Sequence, residues 1–417
     1  MMRDTELYRH VLGLEPPWTV SKVELSVEKH QVDVWAEHRA NATFPCPECG
    51  TVSGLHDHAE ERVWRHLDTC QFATQLHARV PRVKCPTHGV RQVAVSWAEA
   101  RSRFTLLFER FAIDVLKETD VAGAAKILGL SWDEAHHLMA RAVARGLARK
   151  PKQVPVQMGV DEKAFAKGQN YVSLVCNLET GTVEHVAEGR TEASLFSYFA
   201  PFTVADVACV EAVAMDMWAP FINTVVRCVP GAREKIVFDR YHIVAHMNRA
   251  VDIVRRAEAK ALRAEGDETL KGSRYLWLYG AENVPVHRQA AFDQLKAQSL
   301  TTSRAWAIKE MLRELWECPS REDAADFHRR WHHWATHSRL APVIKVARMV
   351  KTHLPNILSY YAHRVTNAVS EGINSAIQTI KKRAFGFRNR DHFKTAIYFH
   401  CGGLDLYPAV PTHAVPG

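Results

Sequence analysis

VEAVAMDMWAP, residues 210–220, is the stretch that decides how this chain reads. The apolar, partly β-branched run Val210, Ala212, Val213 and Ala214 leads into Asp216, then Trp218 and Pro220. That pattern predicts a buried strand with a carboxylate at its C-terminal end. Two more acids sit on compatible elements. Asp161 in MGVDEKAF follows the apolar run 156–160, and Glu371 in VSEGINSAIQTIKKR opens an amphipathic helix. Three carboxylates delivered by separate core elements predict a divalent-metal site.

The sequence around these acids alternates with strand periodicity. Residues 156–160 predict a first strand, 171–178 (YVSLVCNL) a second and 182–187 (TVEHVA) a third, with a tight turn at 179–181. A helix capped by Thr191 follows, then the Asp216 strand, a helix over 220–229 and a fifth strand at 235–238. Three strands, helix, strand, helix, strand is the element order of the ribonuclease H-like fold. In that fold the first and fourth strands meet at the sheet centre, which makes Asp161 and Asp216 neighbours.

Beyond VFDRYHI the chain reads as helical for more than a hundred residues, an all-α insertion over 245–360, with Phe327, Trp331 and Trp334 at core-type helical spacing. In the final helix Ile373, Ala376, Ile377 and Ile380 form the buried stripe. Glu371, Ser375, Gln378 and Lys382 run along another face, with Asn374 and Lys381 beside it. One polar face therefore starts at the metal site and ends in the phosphate-suited cluster Lys381, Lys382 and Arg383. Arg388 and Arg390 extend that basic character among interleaved aromatics.

The N-terminal third carries different signals. Residues 18–38 alternate as a β-hairpin; CPECG at 46–50 and RVKCPTHG at 82–89 then place Cys46 with Cys49, and Cys85 with His88, each pair flanking two residues. Two such knuckles suit one structural, tetrahedral Zn²⁺, a closed site with no open position for water; His56, His58, His66 and Cys70 are the alternative ligands nearby. Helical spacing over 104–118 is followed by a helix–turn–helix pattern. Val121, Ala124, Ala125 and Leu128 form its apolar face, Gly129 suits the turn, and Ser131 with Glu134 forms a capping box for a helix to about residue 148. In such motifs the second helix enters the major groove, which makes Trp132, Asp133, His136, His137 and Arg141 the candidate base contacts.

The composition agrees with this reading without deciding it. A net charge of +8 suits a polyanionic partner, and 47% apolar residues allow a large core. No uncharged apolar run reaches the roughly 18 residues that span a membrane, and MMRDTELYRHVLGL lacks the apolar core of a signal peptide. A cytosolic protein with no membrane partner is expected. Of the nine cysteines, those outside the knuckles fit buried thiols better than disulfides.

GVDEKAFAKGQNYVSLVCNLETG, VEAVAMDMWAPF, VFDRYHIVAHMN and SEGINSAIQTIKKRAFGFRN, with CPECG…RVKCPTHG and the helix–turn–helix, resemble the bacterial insertion-sequence DDE transposases of the ISL-three family over nearly the whole chain. The resemblance implies a multidomain α+β protein. Its parts are a zinc-binding β domain (1–98), a helix–turn–helix domain (99–150), a ribonuclease H-like core (151–244 and 361–417) and the all-α insertion (245–360). It implies an enzyme that binds the terminal inverted repeats of its element, cuts to expose 3′-hydroxyls and transfers those strands to target DNA. The catalytic triad becomes Asp161, Asp216 and Glu371, holding two Mg²⁺ (or Mn²⁺) ions. In FDRYH, Asp239 is the alternative second acid, and His242 is expected to contact the scissile phosphate or hold the site in place. Double-stranded DNA is the expected partner, with a homodimer in the DNA synapse and a nucleoid-associated location in the bacterial cytoplasm. The rivals are a domesticated, catalytically inactive DNA-binding regulator and a simple ribonuclease H-like nuclease.

Overall fold

The computed structural model describes residues 3–166, 170–298, 300–365 and 368–409. They form two compact units, one of residues 3–151 with 380–409 and one of 152–379. No helix among them is long and apolar enough to cross a membrane.

The first unit is built on a six-stranded sheet: β1 (Trp18–Ser26), β2 (Gln31–His38), β3 (Thr43–Pro45), β4 (Val52–Thr69), β5 (Phe72–Cys85) and β6 (Gly89–Gln92). The order is β1-β2-β5-β4-β3, with β6 on β5. The predicted hairpin is β1–β2, in antiparallel register from Trp18↔His38 to Ser26↔Gln31. The long β4–β5 ribbon reverses through Cys70 and Gln71, both at positive φ, between the paired Thr69 and Phe72; two left-handed residues match the twist of a tight hairpin. Alternation along the ribbon buries Trp64, Leu76, Ala78 and Val80 against Trp18, Val34 and Trp97.

The helix–turn–helix expected from the sequence is present. Helices Leu106–Glu118, Val121–Leu128 and Trp132–Arg149 follow one another, with Gly129 at φ 64° in the turn and both arms of the Ser131–Glu134 capping box formed. Their apolar faces (Phe108, Ile113, Leu116, Leu128, Leu138, Val143) share a core with Ala396, Phe399 and Leu406 from the C-terminal segment, which includes helix Arg390–Cys401. Glu109, fully buried, anchors this bundle by accepting from both Arg141 and Arg145.

The second unit holds the other sheet: β7 (Gln157–Ala166), β8 (Asn170–Asn177), β9 (Thr182–Glu188), β10 (Ala212–Met215) and β11 (Ile236–Phe238), in the order β11-β10-β7-β8-β9. β7, β8 and β9 form an antiparallel meander, and β10 lies parallel to both β7 and β11. The first and fourth strands of this sheet are therefore neighbours, as the element order requires. On one face Met158, Val160, Val213 and Met215 pack with Leu195, Phe221 and Val225 of helices Glu192–Phe199 and Ala219–Cys228. On the other, Ala212 and Ala214 pack with Leu178 and Val365.

After β11 the chain is helical, from helix Arg240–Ala264 through helices such as Thr301–Arg313, Arg321–Thr336 and Ala341–Thr352. Trp277, Phe292, Ile308, Trp331 and Val343 are buried and belong to the same core as the sheet's first face. Trp331 donates its indole N–H to the Ile308 carbonyl at 2.9 Å. Trp334 departs from the expected stripe and is exposed.

Candidate active site and zinc centre

The zinc knuckles are turns at the ends of paired strands. Cys46 N–H donates to the Thr51 carbonyl and Gly50 N–H to the Cys46 carbonyl, both at 2.9 Å, folding CPECG between β3 and β4. Gly50 and Gly89 take the left-handed φ values, 73° and 68°, that these reversals demand. The second knuckle joins β5 to β6, and the β4–β5 pairing, which reaches Leu55↔Val83, carries one knuckle to the other.

The four ligand atoms of Cys46, Cys49, Cys85 and His88 lie within 4.8 Å of one another. Cys49 Sγ is 3.6 Å from Cys85 Sγ, and His88 Nδ1 is 3.6 Å from Cys85 Sγ and 3.8 Å from Cys46 Sγ. A tetrahedron with Zn–S bonds of about 2.3 Å has edges of roughly that length, so this donor set fits zinc. Hydrogen bonding with Thr51 draws the Cys49 thiol down to about 6, which favours the thiolate that binds metal. Glu48 stands 3.6 Å from His88 Nε2 and is itself paired with Arg91, an arrangement that directs Nδ1 toward the thiols. The alternative ligands lie outside this cluster: His66 bonds the Thr105 hydroxyl, His58 bonds His38, His56 is exposed, and Cys70 is in the β4–β5 turn.

At the acidic site, register does the positioning. Val160 on β7 pairs with Met215, the last residue of the parallel strand β10, so the next residues are Asp161 within β7 and Asp216 just past β10. Strand alternation puts Asp161 on the same face as Gly159. A Cβ on Gly159 would lie 2.7 Å from Ser370 Oγ, which shows how closely helix Ala368–Arg383 covers that face. One turn along that helix, the Asn374 amide donates to Asp161 Oδ2, while the Glu162 N–H donates to Oδ1 at 2.7 Å. Glu371, three residues before Asn374, is exposed.

Asp216 Oδ1 accepts from the Met217 N–H at 2.6 Å, and its Oδ2 faces His242 Nδ1 at 3.5 Å. His242 Nε2 in turn lies 3.6 Å from Asp239, so the imidazole stands between the two acids. Asp239 is buried and caps the insertion's first helix by accepting from Tyr241 N–H at 2.8 Å. A cavity of about 390 Å³ is lined by Ala214, Val237, Asp239, Arg313, Trp316 and Glu371.

Several groups here were not singled out in the sequence. Burial, then the charges of Asp161 and Asp216, pushes the Glu162 carboxyl up; Arg190, 3.6 Å away, opposes this. Arg190 also lies 4.5 Å from the ring centres of Tyr171 and Trp218. Burial pulls His246 and His353 down, while the Asp216 charge acts against it in both. The four-residue spacing of His242 and His246 on one helix was the available signal for His246. Glu162 Oε2, Asn374 Oδ1 and Ser370 Oγ are buried without a hydrogen-bond partner among the described residues. Orphaned oxygens beside carboxylates are hard donors of the kind Mg²⁺ takes.

The candidate DNA contacts fall into two groups. His137, Lys382, Arg383, Arg388 and Arg390 are exposed and Lys381 is half-buried. Trp132 stacks on His136 with ring centres 5.0 Å apart, and His136 lies 3.9 Å from His392. Arg141 is turned inward, donating to Glu109 and to Ser102.

A family model for ISL3-type DDE transposases matches residues 158–397, more than half of the chain. The chain belongs to the ISL3 transposase family. Two further models of that family match: the zinc finger of transposases IS204, IS1001, IS1096 and IS1165 over residues 42–88, and the family's helix–turn–helix domain over 93–143. The transposase for insertion sequence element IS1557 of Mycobacterium tuberculosis is 24% identical, with 93% of each chain covered. The transposase for IS1001 of Bordetella parapertussis is 27% identical, with 84% of this chain and 86% of its own covered. This ISL3 transposase thus carries the family's zinc-ribbon, DNA-binding and catalytic regions in one polypeptide.

Proposed function

We propose that this transposase binds the terminal inverted repeats of its own insertion sequence, cleaves the DNA to expose 3′-hydroxyls and joins those ends to target DNA. The observation that carries the reading is the register that sets Asp161, within β7, beside Asp216, the residue just past β10, with Asn374 of the Glu371-bearing helix donating to Asp161. Asp161, Asp216 and Glu371 would hold two Mg²⁺ or Mn²⁺ ions, which when bound neutralise phosphate charge and activate the attacking oxygen. The chain's own groups prepare the site. Asn374 and the Glu162 N–H fix the Asp161 carboxylate, His242 holds Asp216 from its open side, and Arg190 offsets the negative charge gathered around Glu162.

A second reading replaces Asp216 with Asp239, because Asp239 and Glu371 line one cavity. We favour Asp216, since Asp239 is spent capping a helix. The zinc ribbon would hold one structural Zn²⁺ through Cys46, Cys49, Cys85 and His88. Trp132, His136, His137 and the basic residues from Lys381 to Arg390 would face DNA, whereas Arg141 serves the bundle that presents them. Two copies would act on paired ends in the bacterial cytoplasm, on the nucleoid. The zinc-binding β domain would span 1–98, the helix–turn–helix domain 99–150, the ribonuclease H-like core 151–244 with 361–417, and the all-α insertion 245–360.

The test is cleavage and strand joining on a duplex carrying the repeats that flank the gene, with Mg²⁺. Wild type should do both, and Asp161→Asn and Glu371→Gln should do neither while still binding. Binding without cleavage by wild type would support a DNA-binding regulator, and cleavage without joining a simple nuclease.

A further inference from the structure

Phe385 is 99% exposed, an unusual state for a large aromatic side chain. It sits at φ 50° in the turn between helices Ala368–Arg383 and Arg390–Cys401, with Lys382 and Arg383 before it and Arg388 after it. It also stands on the rim of a cavity of about 530 Å³, lined by Trp132, His136, Arg383, Phe387, Arg388 and His392. The Trp132 and His136 rings are stacked within 4° of parallel, and Trp132 keeps an exposed face. His136 Nε2 is withdrawn from solvent and lacks a hydrogen-bond partner among the described residues. Burial, then the neighbouring histidines, holds His136 down to about 4, so at neutral pH its ring is uncharged, with one N–H and one lone pair. The acid on the rim, Asp120, is occupied in capping helix Val121–Leu128 through the Gly123 N–H.

We infer that Phe385 wedges between base pairs of bound duplex DNA and that the adjoining cavity receives the displaced base. The inference rests on the DNA-binding reading above and adds to it a mode of engagement. An apolar wedge between base steps needs cations beside it to hold the backbone phosphates, and Arg383 and Arg388 supply them. A displaced base needs an aromatic surface to replace its lost stacking, and the exposed Trp132 ring, backed by His136, supplies it. The flanking cations select a nucleic acid over a second copy of this basic chain.

Unstacking is easiest at a mismatched base, so a protein that extrudes a base binds mismatched duplex more tightly. The experiment is competition binding by the full-length protein between a paired duplex and the same duplex with one central mismatch. Wild type should prefer the mismatch about tenfold. Phe385→Ala should lose the preference, Phe385→Trp should retain it, and Ala122→Trp, which fills the cavity from its exposed rim, should lose it with Phe385 intact. A wild type that binds both duplexes equally, or a Phe385→Ala variant that keeps the preference, overturns the inference and leaves the DNA-binding reading standing. Failure of wild type to bind any duplex overturns both. A Phe385→Ala variant altered in self-association rather than in mismatch preference assigns the side chain to a protein interface and also overturns the inference.

Discussion

Gly159→Ala isolates the fit between the catalytic sheet and the Glu371 helix. The new Cβ would meet Ser370 Oγ at 2.7 Å and Leu178 Cδ2 at 2.9 Å, where ordinary contact begins near 3.4 Å. Leu178 can turn its methyl group, but Ser370 is buried beneath its own helix, so about 0.7 Å of relief has to come from its hydroxyl or from the helix. Overpacking of this size costs about 1–3 kcal/mol of stability, read as a fall of several degrees in Tm. The larger effect falls on function, since Ser370 immediately precedes Glu371 and lies one turn before Asn374, which holds Asp161. A displacement approaching 1 Å in a catalytic group lowers the rate by up to about a hundredfold, so cleavage of repeat-bearing DNA should fall between about tenfold and a hundredfold. Ser370 Oγ has no partner among the described residues, so Ser370→Ala alone should be nearly silent. In the double variant Ser370→Ala should restore most of the activity lost to Gly159→Ala. Full activity in Gly159→Ala, or no rescue by Ser370→Ala, would refute the claim that this helix closes the site.

Metal analysis should find one zinc per chain, lost in Cys49→Ser and kept in His88→Cys, with Glu48→Gln weakening zinc affinity about tenfold in chelator competition. Glu109→Ala removes the buried carboxylate that Arg141 and Arg145 share, leaving Arg145 with Glu99 and Arg141 with Ser102, and should destabilise the bundle by about 3 kcal/mol in urea unfolding. Burial holds His66 down to about 4 from 6.5, so between those values the unfolded chain takes up a proton that the folded one refuses. Stability is therefore intact above pH 6.5 and falls as pH drops toward 4, by up to about 3 kcal/mol from this residue. Urea midpoints measured across that window should fall less steeply in His66→Gln.

Signals local in sequence were the legible ones. The strands of the second sheet, the helix–turn–helix with its capping box and the two knuckles all follow from periodicity, caps and spacing within about twenty residues. What escaped depended on which neighbours the chain brings together. Phe111 and Trp334 sit at apolar helical spacing yet are exposed, because the faces that pack also use Ala112, Ile113 and Ala335. Arg141 read as a groove contact because its partner Glu109 is a turn and two helices away in sequence. Asn374 was placed beside the polar face, but only the pairing of β7 with β10 reveals Asp161 beneath it. The knuckles were legible as pairs, whereas their union depends on the eighteen-residue strand β4, whose register no spacing encodes.

Asp216, with His242 Nδ1 at 3.5 Å, is our proposed second metal-binding acid. The direct measurement compares Asp216→Asn with Asp239→Asn in Mg²⁺-dependent cleavage of repeat-bearing duplex, alongside binding of that duplex and thermal stability. The structure predicts that Asp216→Asn binds and folds like wild type but does not cleave, and that Asp239→Asn, whose amide oxygen can still cap the helix, folds like wild type and still cuts. Cleavage by Asp216→Asn at the wild-type rate, with none by a folded Asp239→Asn, would contradict the account and move the second acid to Asp239.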